Sequence, residues 1–133
     1  MAKKIILELD EAQAATLRNA CEFVGRIHMG QFDVIKDLPQ IDKSIPFNYF
    51  LHMKELLMGL TDGSYHAIHS DKIPDQARQL FDIYQVLRHK IAYDQLEEGE
   101  KPNIGSSVIY DPPMNLSTKC QLPTCDIVEE EEK

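Results

Sequence analysis

The sequence predicts a mainly α fold: a compact helical domain with two long helices, one short helix and a minor two-stranded sheet. Three observations carry this reading. Apolar residues recur at helical spacing over residues 10–38 and again over 74–95. Capping and proline signals stand where those runs begin and end. Four of the seven prolines fall beyond residue 98, where helix ceases to be plausible.

Residues 4–9 favour β structure, and Asp10 then offers an N-cap with Gln13 three residues on, the arrangement of a capping box. The first helix is read from 10 to 38, with Leu17, Ala20, Cys21, Val24, Ile27, Val34, Ile35 and Leu38 in one arc. A bend is expected at Gly30, and Pro39 ends the helix. Residues 48–60 form the short helix, through Phe50, Met53, Leu57 and Leu60, closed by the turn Thr61-Asp62-Gly63-Ser64. Residues 65–72 show no period. Pro74 opens the second long helix, read to residue 95, with Ala77, Leu80, Phe81, Tyr84, Leu87 and Ile91 on one face. Val86, His89 and Tyr93 form a narrower stripe nearly opposite, so this helix is either wrapped on both sides or paired with a second copy. Residues 107–110 are expected as a strand against 4–9. The organisation expected is a helical domain over 1–98, a proline-rich extended segment over 99–125 packing on it, and an acidic, disordered tail over 126–133.

Twenty-two acids against fourteen Lys and Arg give a formal charge of −8, which opposes the phosphate backbone of nucleic acid. The last eight residues hold five of those acids and one lysine, leaving −4 for residues 1–125, so the body is acidic too. Glu8, Asp10 and Glu11 interrupt the apolar start before it reaches the length of an export signal, and no apolar run approaches the ~18 to 20 residues of a membrane span. These features predict a cytoplasmic protein that engages neither membrane nor nucleic acid. Cys21, Cys120 and Cys125 are odd in number and lack paired spacing, so free thiols are expected. His66 and His69, with Asp71, fall short of a metal-binding set. No glycine-rich phosphate loop or nucleophile elbow occurs, and no cofactor is predicted.

The unusual feature is polar residues set into apolar arcs. His28 and Gln31 lie inside the arc of the first helix, and Arg88 follows Tyr84 by one turn on the other long helix. A guanidinium there needs a carboxylate, carbonyls or an anionic ligand to offset desolvation. One reading is an internal network, with Arg88 on Asp33 or Asp82 and Gln31 on backbone. Another is a pocket in which Arg88, His28, Gln31 and His89 meet a small anion while Tyr84 stacks on a ring. A third is a partner-protein surface.

Met29-Gly30-Gln31-Phe32 and Asp82-Ile83-Tyr84-Gln85-Val86-Leu87-Arg88-His89-Lys90-Ile91-Ala92-Tyr93-Asp94 resemble segments of small uncharacterised proteins encoded by tailed bacteriophages and prophages. That resemblance spans roughly residues 5–95 and implies an accessory role in the bacterial cytoplasm, with no chemistry attached. Together with the polar constellation it suggests a non-catalytic protein that counters bacterial defence by sequestering a small anionic, nucleotide-like signal. Two alternatives stand beside it. One is an acidic inhibitor or regulator that contacts a host nucleic-acid-binding enzyme. The other is a small phosphoesterase-like enzyme with His28 or His89 as general base beside Arg88. Self-association through Val86, His89 and Tyr93 is a further expectation.

Overall fold

The computed structural model describes residues 3–61, 64–103 and 108–130. Its elements are α1 (Glu11–His28), a 3-10 helix (Phe32–Asp37), α2 (Phe47–Met58), α3 (Asp75–Asp94) and a 3-10 turn (Val108–Tyr110). The fold is helical, with no strand among the described residues.

Asp10 caps α1 as its sequence context requires. Its carboxylate accepts from Gln13 N at 2.8 Å while its own N–H donates to Gln13 Oε1 at 3.0 Å. The first helix is shorter than the apolar pattern implies, because Gly30 stops it. Gly30 sits at φ +88°, Gly30 N donates to Ile27 O at 3.0 Å, and Gln31 N donates to Arg26 O at 3.0 Å. These two bonds make a Schellman stop, which satisfies the last carbonyls of α1 and turns the chain away. Val34 and Ile35 therefore belong to the separate 3-10 helix, against which α2 packs.

α1 lies antiparallel along α3. Glu22 faces Tyr84, Gly25 faces Phe81, and Met29 meets Ala77, so each step up α1 is a step down α3. Gly25 permits this approach, since a Cβ there would stand 2.8 Å from Phe81. Met29, Ile73 and Ala77 form the core cluster, with Ile68 and Phe81 packed against it. The buried line of α1 runs through Cys21 and Gly25, and Val24 is left exposed, so the apolar arc read from the sequence is rotated away from the core. On α2, Phe50 is buried but Met53 and Leu57 are exposed.

The minor sheet expected from residues 4–9 and 107–110 does not form among the described residues. Residues 3–9 carry no regular structure and stay exposed. Val108–Tyr110 winds as a 3-10 turn and presents Tyr110 to Tyr93, which leaves no strand edge for 4–9 to pair with. Ser107 lies outside the described residues, as do Asp62 and Gly63 of the expected turn and the last three residues of the acidic tail.

No helix among the described residues is long and apolar enough to cross a membrane.

Candidate functional site

Three of the five polar residues singled out in the sequence join one network between α1 and α3, through two residues that the sequence did not mark. Arg26, one turn after Glu22 on α1, donates Nη1 to Gln31 Oε1 at 2.8 Å and places Nη2 3.6 Å from Glu22 Oε2. Glu22 reaches across to the Tyr84 hydroxyl, and Arg88 Nη1 donates to that oxygen at 3.4 Å. The Arg88 guanidinium carbon stands 4.9 Å from the centre of the Tyr84 ring. Burial, then the Glu22 carboxylate, hold the Tyr84 phenol above its ordinary value, with Arg88 opposing. Arg88 meets neither Asp33 nor Asp82, and among the described residues its buried Nε has no hydrogen-bond partner.

His28 and His89 stay outside this network. On the α1–α3 register His28 stands level with Arg78, about ten residues and roughly 15 Å of helix axis from Arg88, and it makes no hydrogen bond or ion pair among the described residues. The His89 ring lies tilted at 46° against Tyr93, 4.7 Å between centres, and Tyr93 meets Tyr110 edge-on at 5.5 Å. The stripe of Val86, His89 and Tyr93 thus carries a residue of its own chain.

The more extensive polar assembly lies on another face of α3, where the sequence offered only Asp82, as a partner for Arg88. Gln85 exchanges two bonds with Met114, each 3.1 Å. Asp82, 2 % exposed, accepts from Leu116 N at 2.8 Å and Ser117 N at 3.1 Å. Asp75 accepts from Ser117 Oγ at 2.7 Å, Thr118 N at 2.9 Å and Thr118 Oγ1 at 3.1 Å. One polar stripe of α3 therefore clamps residues 114–118, which carry no helix or strand and whose N–H groups take side-chain acceptors instead. Arg78, from the same part of α3, holds the 65–72 loop by donating Nε to Ile68 O at 2.8 Å and Nη2 to Ser70 O at 2.6 Å. Buried Lys54 donates to Ser64 O at 2.7 Å. The available signal was the pairing of donors and acceptors: Ser117 and Thr118 in a proline-rich run, with Asp75 and Asp82 two turns apart on a helix.

The Thr118 N–H and the Ser117 hydroxyl hold the Asp75 carboxyl well below the usual carboxylate range, against burial. A depressed value means the contribution to stability is complete above the unfolded value of about 3.9 and is lost as pH falls from there toward the folded value. Urea unfolding at pH 6 and at pH 2.5 should show a larger loss for the native chain than for Asp75→Asn. Equal losses in the two proteins would place the acid sensitivity elsewhere.

Among the described residues no group of three or more His, Cys, Asp or Glu side chains is placed to hold a metal ion. Cys21, Cys120 and Cys125 are free thiols. Comparison with known proteins returns no matching family model, no matching curated relative and no matching solved structure.

Proposed function

We propose that this chain is a non-catalytic accessory protein that works by binding another protein through the outer face of α2. The observation that carries this reading is the apolar set Tyr49, Met53, Leu56 and Leu57, which share one arc of α2 and face solvent, Leu56 at 71 % and Leu57 at 70 % exposure. Clustered exposure of this kind marks interaction surfaces more often than scattered apolar residues do. The formal charge of −8 favours a partner with a basic rim. The likeness of residues 29–32 and 82–94 to phage-encoded proteins suggests a host protein of the bacterial cytoplasm, and interference with bacterial defence as the outcome.

A second reading rests on Arg88. A guanidinium whose Nε is buried with no partner among the described residues, laid on the Tyr84 ring, suits a small anionic, nucleotide-like ligand. Its weakness is Glu22, which brings a negative charge to the same tyrosine.

One experiment separates the readings. Cross-linking in host lysate with the native chain and with Leu56→Ser/Leu57→Ser should show a specific partner lost in the variant, while helical content stays native. In parallel, thermal unfolding is followed against cyclic and linear nucleotides, where a ligand at a hundred times its Kd stabilises by about 2.7 kcal/mol. Equal capture by both proteins defeats the α2 reading. A nucleotide shift abolished by Arg88→Ala establishes the second.

A further inference from the structure

We propose that two copies of this chain associate by exchanging residues 3–6 and 127–130 as antiparallel strand pairs. Both segments carry no regular structure, make no hydrogen bond or ion pair among the described residues, and join two charged to two apolar residues. Ile5 is 95 % exposed, Ile6 89 % and Val128 82 %, with Ile127 also exposed. Neither segment forms regular structure or covers the other within the chain. Segments rich in β-branched residues with free backbone N–H and C=O groups are suited to pairing as strands.

Charge and apolarity together select the partner and the direction. Set antiparallel, Lys3 opposes Glu130, Lys4 opposes Glu129, Ile5 opposes Val128 and Ile6 opposes Ile127, so four successive pairs match with no like charges facing. A parallel register that aligns Ile5 with Ile127 places Leu7 against Glu129 and Glu8 against Glu130, a clash of like charges. The antiparallel match ends at Leu7, which would face Asp126, and that limits the pairing to these four positions.

The fold brings both segments to one end of the molecule. The antiparallel register of α1 and α3 sets the start of α1, where residues 3–9 lead in, level with the end of α3. Cys125, whose thiol burial pushes up while Lys90 pulls it down, stands beside the last turns of α3, and residues 126–130 lead out from there. A two-fold axis at this end lets each copy give its basic segment and take the acidic segment of the other, so one contact type is used twice and the assembly closes. A single isolated strand pair is marginal in water. Two pairs closed by symmetry give an association favoured at low salt, where the four charge pairs are least screened.

The test uses full-length chains in sedimentation velocity over a micromolar range at low salt. The native chain is expected to dimerise. Lys3→Glu/Lys4→Glu alone and Glu129→Lys/Glu130→Lys alone should each weaken self-association about tenfold or more, since two attractive charge pairs per strand pair become repulsive. An equimolar mixture of the two variants should recover it, because each then offers the other complementary segments. Helical content should be native throughout, as all four positions lie outside the helices. A monomeric native chain overturns the proposal, and so do swaps that leave association unchanged. Failure of the mixture to recover overturns it too.

Discussion

Asp82→Ala is expected to lower the unfolding free energy by about 3 kcal/mol and to free residues 112–120 for proteolysis. The carboxylate is 2 % exposed and is the acceptor for two backbone N–H groups, Leu116 and Ser117. Hydrogen bonds to a charged group contribute about 1.5 to 3 kcal/mol each, and removing the acceptor also strands donors that were taken out of water. Part of that penalty is relieved if the segment lifts off and its N–H groups rehydrate, which is why protease sensitivity should accompany the loss. Oriented to satisfy both groups, the Asn115 amide also donates to Asp82 Oδ2 and Cys120 O, each at 3.2 Å, so its hold on the segment is lost as well. Urea unfolding gives the energy and limited proteolysis with mass mapping gives the site of opening. A loss under about 1 kcal/mol with the segment still protected would show that Asp75 and Gln85 suffice to hold it.

Gly30→Val should destabilise by a similar amount, about 3 kcal/mol, through two separable causes. The left-handed conformation at φ +88° costs a residue with a Cβ roughly 1 to 2 kcal/mol, and a β-branched side chain is the worst case. A Cβ at this position would also stand 2.6 Å from Leu60 Cδ1, and displacing that neighbour costs about 1 to 2 kcal/mol more. Leu60 is a flexible side chain, so Gly30→Val with Leu60→Ala should recover the steric part and leave the backbone part. Gly30→Asn should fall between, because asparagine tolerates the left-handed region. Thermal or urea unfolding of the four proteins reads both contributions. Equal stability of Gly30→Val and the native chain would mean that the Schellman stop is not what ends α1.

Several features were legible in the residues for definite physical reasons. The Asp10 and Gln13 capping box formed because its partners are three residues apart and need no tertiary context. Pro74 marked the start of α3 for the same reason. Gly30 was visible as a break, but its strength was not: a glycine inside an apolar period reads as a bend until the carbonyls it must satisfy are known. The apolar pattern of α2 gave the helix and misplaced its face, since Met53 and Leu57 are as apolar as Phe50 and periodicity cannot say which side meets the core. The strap over α3 was least legible. Its bonds join positions 29 to 43 residues apart, and nothing local to Asp75 or Asp82 distinguishes a clamp from a solvated acid. Arg88 was marked as a cation inside an apolar arc, while Glu22 and Arg26, which lie beside it through Tyr84 and Gln31, were not marked, because their i to i+4 spacing on α1 is ordinary for a helix surface.

The clamp's long reach along the chain also bears on the order in which the molecule assembles. The Asp82 bonds close a loop of more than thirty residues, and they need α3 already wound so that Asp75, Asp82 and Gln85 stand in line. The acceptors stand in line only once α3 has formed, so these contacts should form after the rate-limiting step for folding. Weakening them should therefore leave the refolding rate of Asp82→Ala near that of the native chain and speed its unfolding. The strap is thus expected to set how long the folded molecule lasts rather than how fast it appears.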